Sequence, residues 1–130
     1  MKPIFHLSLM VADLTESRRF YETALNAKIG RVTERWLDVW LFGAQMTLQQ
    51  TPAGAAISKP GGRFHLGASL GWDEWLAERG RLEALDVDFM GPPAVNEAEG
   101  VAKMYVQDPD GYVIELKAYR DVEAKLSPQA

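Results

Sequence analysis

The chain has 130 residues, 47% hydrophobic, 25% charged and 10% aromatic, the composition of one soluble globular domain and not of a disordered chain. Eighteen Asp and Glu against fourteen Lys and Arg leave a formal charge of -4, without the basic patch that nucleic acid requires, and no apolar run approaches the ~20 residues of a membrane-spanning helix. The absence of cysteine excludes disulfide frameworks, zinc ribbons, iron–sulfur ligation and thiol nucleophiles. Met1 to His6 runs straight into a patterned segment unlike a signal peptide, so the expected location is the cytoplasm.

From Pro3 to Val11 the residues alternate, with Phe5, Leu7, Leu9 and Val11 on one face of a predicted strand and His6 and Ser8 on the other. Asp13 stands three residues before Glu16, a capping-box spacing, and Leu14, Arg18, Tyr21 and Leu25 recur at helical spacing, predicting a helix over Leu14 to Leu25. Three strands follow: Ala27 to Thr33, Arg35 to Phe42 and Gln45 to Gln50, the last two joined at Gly43. In the middle one Leu37, Val39 and Leu41 form an aliphatic face, while Trp36, Asp38 and Trp40 form an aromatic face around an acid. Thr51 to Gly62, rich in Pro and Gly, reads as a connector.

The order then restarts. Arg63 to Leu70 alternates like the first strand, with His65, Gly67 and Ser69 on the polar face. Asp73 is placed to cap a helix whose Trp72, Trp75, Leu76, Leu82 and Leu85 share a core face, with Gly80 a weak point inside it. Val87 to Met90 is predicted as a short strand, Gly91 to Gly100 as a loop and Val101 to Gln107 as a strand. Asp108-Pro109-Asp110-Gly111 is a turn, Tyr112 to Tyr119 the closing strand, and the remainder a loose or helical tail. The expected fold is therefore α/β (α+β): two βαβββ modules of mixed sheet, 3–50 and 63–119, joined by the connector 51–62, followed by the tail 120–130, with their polar faces forming a shared cleft.

The chain has two histidines, and they occupy the same position of the two duplicated opening strands. In the closing strand Tyr112, Ile114, Leu116 and Ala118 take the helix face, so Val113, Glu115, Lys117 and Tyr119 take the polar one. Glu115 lies between Ile114 and Leu116, where a carboxylate needs a partner to offset its desolvation. Two imidazoles and a carboxylate facing one cleft make a facial triad for a divalent metal; the plainer reading is a pair of surface histidines and a Glu paired with Lys103 or Lys117.

Phe5-His6-Leu7 with Val11-Ala12-Asp13-Leu14 and Phe20-Tyr21, Phe64-His65-Leu66, and Asp108-Pro109-Asp110-Gly111-Tyr112 with Ile114-Glu115-Leu116 together resemble the vicinal oxygen chelate superfamily. It holds glyoxalase I, extradiol dioxygenases, fosfomycin-resistance transferases, epimerases and bleomycin-binding proteins. The resemblance covers Phe5 to Tyr119 and implies metal ligands at His6, His65 and Glu115. It implies iron(II) first, with manganese(II), nickel(II) or zinc(II) as alternatives. Where glyoxalase I carries a fourth ligand, a Glu, this sequence has Thr47, the counterpart of Glu115 in the repeat, and a hydroxyl is a poor substitute for a carboxylate ligand or base.

Around that site Trp36, Asp38, Trp40, Thr47, Gln49, Lys103 and Tyr119 are candidate substrate contacts, and Glu115 and Tyr105 candidate catalytic groups. Trp36 and Trp40 serve equally as a sandwich or dimer patch, Trp72 and Trp75 read as helix core, and Arg120 is a further source of positive charge. The expected partners are a small-molecule substrate and a second copy of the chain in a homodimer. Two functions stay open: a metal-dependent enzyme whose substrate chelates the ion through adjacent oxygens, dioxygenase-like before thiol transferase or isomerase, and a metal-free drug- or metabolite-binding protein.

Overall fold

Hydrophobic alternation of period two, interrupted twice by an amphipathic helical stretch, dictates two helix-backed sheets, and the computed structural model contains them. It describes residues 1–57, 59–61 and 63–128; Ser58 and Gly62 of the expected connector and Gln129 and Ala130 of the expected tail lie outside the described residues. The chain divides into two compact units, residues 1–64 with 108–112, and residues 65–107 with 113–130.

In the first unit β1 (His6–Val11), α1 (Leu14–Thr23), β2 (Lys28–Val32), β3 (Trp36–Leu41) and β4 (Ala44–Gln50) build a four-stranded sheet of order β1-β4-β3-β2, with β1 parallel to β4 and the other pairs antiparallel. The Asp13 carboxylate accepts from the Glu16 amide at 3.1 Å and starts α1, as its spacing predicts. The helix lies against β3 and β4, where Leu37, Val39, Leu41, Met46 and Leu48 are buried together with Leu9, Val11, Leu14 and Tyr21. Phe5, expected on that face, precedes β1 and is exposed. The turn Asp108–Tyr112 completes this unit: Tyr21 Oη donates to Asp108 Oδ2 at 2.8 Å, the Ala12 amide donates to Asp110 Oδ1 at 3.1 Å, and Tyr112 Oη donates to the Met10 carbonyl at 2.8 Å. Tyr112 thus belongs to the turn and not to the closing strand where the alternation put it.

The second unit repeats the plan with β5 (Leu66–Leu70), α2 (Trp72–Ala84), β6 (Ala94–Asn96), β7 (Val101–Gln107) and β8 (Val113–Tyr119), in the order β5-β8-β7-β6 with β5 parallel to β8. A short α3 (Val122–Leu126) follows, its Ala124 amide held by Asp121 at 3.0 Å. Trp75 is fully buried and its Nε1 donates to the Leu116 carbonyl at 2.8 Å, fixing α2 on β8.

Four expectations for this half are corrected. Asp73 sits in the first turn of α2 rather than capping it; the cap is Gly71, whose amide donates to Glu74 Oε1 at 3.3 Å. Trp72 is only half-buried, because it lies at the open end of the helix under the Arg120 guanidinium, 4.2 Å from its ring centroid, and Leu85 on the expected core face is exposed. Val87 to Met90 forms no strand. Positive φ at Asp86 and Gly91 brackets it, leaving one bridge from Phe89 to Val106. The strand falls instead within the expected loop, at Ala94–Asn96, which pairs with Lys103 to Val101.

Candidate functional site

In the second unit, alternation along β8 turns Ile114, Leu116 and Ala118 into the core and Val113, Glu115, Lys117 and Tyr119 to the opposite face. Register sets Gly67, Glu115 and Tyr105 in one row across β5, β8 and β7, and Ser69, Lys117 and Lys103 in the next. His65, just ahead of β5, brings its Nε2 to 3.6 Å from Glu115 Oε1. Glu115 is buried, and His65 lies edge-on to the Tyr105 ring at 6.1 Å. The Glu115 carboxylate beside it, together with partial burial, holds the Tyr105 phenol above its ordinary pKa, so it stays protonated at neutral pH. His65, Gly67, Ser69, Glu115 and Lys117 line an open depression of about 220 Å³.

Gly67 is obligatory there. A Cβ at this position would lie 1.8 Å from the Glu115 carbonyl oxygen, so only a hydrogen fits between β5 and the strand that carries the acid.

In the first unit Ser8, Thr47 and Asp38 form the row that corresponds to Gly67, Glu115 and Tyr105, and His6, Gln45 and Trp40 form the row before it. Exposed His6 places Nδ1 at 3.2 Å from the Gln45 carbonyl. Asp38 is nearly inaccessible, at 1% exposure. Its Oδ1 accepts from Thr47 Oγ1 at 2.8 Å and its Oδ2 from Arg31 Nε at 2.7 Å and Gln45 Nε2 at 3.4 Å. Burial alone pushes this carboxyl up, but the Arg31 and Thr47 hydrogen bonds, the Arg31 charge and Gln45 together leave it below its ordinary value. The two units use this row differently: the second carries its carboxylate, Glu115, on the fourth strand opposite Tyr105, whereas the first carries Asp38 on the third, where it accepts from Thr47 on the fourth. Thr47 matches Glu115 in position, as the repeat predicts, and its proton is committed to Asp38.

Trp36 is half-buried and Trp40 40% exposed; Gln49 Nε2 donates to Ser8 Oγ at 2.5 Å. Lys103 and Lys117 stand directly opposite each other, and Lys117 Nζ lies 5.7 Å from the centroid of half-buried Tyr119. Arg120 is bonded to Glu97 at 3.2 Å as well as stacked on Trp72. Among the described residues, neither unit gathers three His, Asp or Glu side chains into a metal-holding cluster of its own. Within the second unit, His65 and Glu115 are the pair whose chemistry fits: a nitrogen and an oxygen donor on one ion stand roughly 3 to 3.5 Å apart, close to their observed 3.6 Å. Sequence reasoning missed Arg31, which a bulge removes from the alternation, and the close approach at Gly67, for which its glycine was the available signal.

Paired βαβββ units, each a four-stranded mixed sheet backed by a helix, define the class of fold. Residues 4–116 match the family model of the Glyoxalase/Bleomycin resistance protein/Dioxygenase superfamily, and the chain belongs to that superfamily. No curated protein matches it significantly. Among solved structures it resembles a glyoxalase/bleomycin resistance protein/dioxygenase from Alicyclobacillus acidocaldarius, at 20% identity over 95% of this chain and 96% of that one, with a TM-score of 0.76. It also resembles the genomically encoded fosfomycin resistance protein FosX from Listeria monocytogenes, at 19% identity over 91% and 93%, TM-score 0.73. A mutant of that FosX, complexed with Mn(II) and 1S,2S-dihydroxypropylphosphonic acid, aligns at 17% identity over 96% and 97%, TM-score 0.72.

Proposed function

We propose that the protein is a divalent-metal-dependent enzyme whose substrate binds the ion through adjacent oxygens, with His6, His65 and Glu115 as ligands and iron(II) or manganese(II) as the ion. The observation that carries this reading is the approach of His65 to a buried Glu115 on an otherwise open polar face. The Mn(II) complex of FosX supports it from outside the chain. Bound there, a divalent ion supplies Lewis acidity to the chelating oxygens.

The chain's own residues do the rest. Tyr105, protonated and directly opposite Glu115, is placed as a proton donor, Lys103 and Tyr119 lie on the same face of the second unit to meet the substrate, and Trp36, Trp40 and Gln49 offer contacts from the first. Thr47, engaged with Asp38, brings no carboxylate, which counts against hemithioacetal isomerisation; of the remaining reactions we propose an oxygen-consuming one ahead of thiol transfer. The assembly we expect is a homodimer, checked by sedimentation.

The test is metal content of the purified protein and its variants. His6→Ala, His65→Ala and Glu115→Ala should each lower occupancy by about tenfold or more, and Thr47→Ala by less than about twofold. Full occupancy in Glu115→Ala refutes the ligand set. Tight small-molecule binding by the metal-free protein, unchanged in the same variants, would instead make it a binding protein of the bleomycin-resistance type.

A further inference from the structure

The first unit carries a charged device that the metal reading does not use. β2 and β3 pair at Ile29 with Val39 and at Val32 with Leu37, so Gly30 and Arg31 together oppose Asp38 in a bulge. The bulge turns Arg31 onto the polar face, where two contacts hold it. Its Nε donates to Asp38 Oδ2 at 2.7 Å, its guanidinium lies 4.9 Å from the centroid of Trp36, and its side chain nonetheless stays 71% exposed. Gly30 keeps this surface low: a Cβ there would come to 3.2 Å from both Asp38 Cβ and Trp40 Nε1.

A surface arginine ordinarily samples many rotamers, and holding it costs side-chain entropy. Here it is held from two sides, by a buried acid whose other partners are Thr47 and Gln45 and by the face of an indole. Among the described residues the terminal Nη groups have no hydrogen-bond partner. A planar fork oriented in advance with its outer donors open is suited to an oxyanion, which it can take through two parallel N–H···O bonds. The half-exposed Trp40 on the same face supplies flat apolar surface.

We infer that Arg31, positioned by Asp38 and Trp36, is an anion-recognition residue on the polar face of the first sheet, and that it takes a small organic molecule bearing a carboxylate or phosphonate group beside an apolar or aromatic portion. The inference does not depend on the metal ligands, since neither Arg31 nor the Asp38 that positions it is one of them. It assigns Asp38 a positioning role in place of direct substrate contact.

The test is an NMR titration of the full chain, following the Arg31 Nε–H and Trp36 Nε1–H resonances with benzoate, phenylphosphonate and neutral benzyl alcohol. At least one of the two anions should produce saturable shifts at both groups, and the stronger of them identifies the headgroup; benzyl alcohol should bind about tenfold more weakly or worse. Arg31→Gln should lose at least about fivefold in affinity, Arg31→Lys should recover part of that loss, and Arg35→Gln, which removes a neighbouring exposed charge, should change affinity by less than about twofold. Thermal stability of Arg31→Gln, measured alongside, separates lost recognition from lost folding. Absence of saturation by either anion overturns the inference, as does a loss below about fivefold in a folded Arg31→Gln protein, or an equal loss in Arg35→Gln.

Discussion

Tyr21→Phe isolates one buried hydrogen bond. Tyr21 is fully inaccessible and its hydroxyl donates to Asp108 Oδ2 at 2.8 Å. The Asp110 and Tyr112 amides hold Oδ1, both at 2.9 Å, so the variant leaves one carboxylate oxygen without its donor while the ring volume is kept. A hydrogen bond to a charged acceptor is worth about 1.5–3 kcal/mol. With an unfolding entropy of about 2.1 cal/mol/K per residue, a 130-residue chain loses roughly 4 °C of Tm per kcal/mol, so a fall of about 6–11 °C is expected.

Its pH dependence is the sharper test. Burial holds Asp108 above its ordinary pKa of 3.8 even though Tyr21 and the two amides pull it down. The favourable contribution of its neutral form is therefore complete below 3.8 and lost as pH rises through the folded value. Removing the tyrosine donor penalises only the ionised form, so the stability gap between the two proteins should be full at pH 7 and narrow as pH falls through the Asp108 value. Urea unfolding of both proteins between pH 3 and 7 measures it. A gap below about 0.5 kcal/mol at pH 7, or one that widens in acid, refutes the reasoning.

Asp38 has the opposite sign, since its folded pKa is depressed. Its stabilisation is present above 3.8 and lost as pH falls through the folded value, so Asp38→Asn should flatten the acid limb of the stability curve. Gly67→Ala should cost more than about 2 kcal/mol by denaturant unfolding, because the backbone oxygen it meets cannot swing aside as a side chain would. Gly80→Ala, in open space inside α2, should instead gain about 0.5–1 kcal/mol, and a loss there would count against the helix geometry.

The architecture was legible because the core faces keep strict period two. Leu37, Val39 and Leu41, and again Ile114, Leu116 and Ala118, alternate without a break, and all six are buried. Sequence reasoning failed where a backbone device replaced the side-chain signal. Gly71 caps α2 through its amide, with no side chain to announce it. The Pro92-Pro93 pair reads as loop, yet the short edge strand follows it immediately. The bulge at Gly30 and Arg31 takes Arg31 out of alternation, so its meeting with Asp38 depends on cross-strand register that a single strand does not encode. His65 and Glu115 were legible as a pair because alternation puts both on the polar face; the partnership of Asp38 with Thr47 was not, since the first unit carries its acid on the third strand and the second unit on the fourth.

The turn at Asp108–Tyr112 has a consequence for the order in which the protein is made. The first unit is closed by residues that lie 87 to 102 positions further along the chain than the groups they bind. During synthesis, then, the first helix and sheet emerge well before the carboxylate that receives the Tyr21 hydroxyl, and they must wait for nearly the whole chain before that buried donor is satisfied. Although the two halves repeat each other in plan, a fragment cut after residue 64 would carry an incomplete core, its Tyr21 hydroxyl left without the carboxylate that receives it.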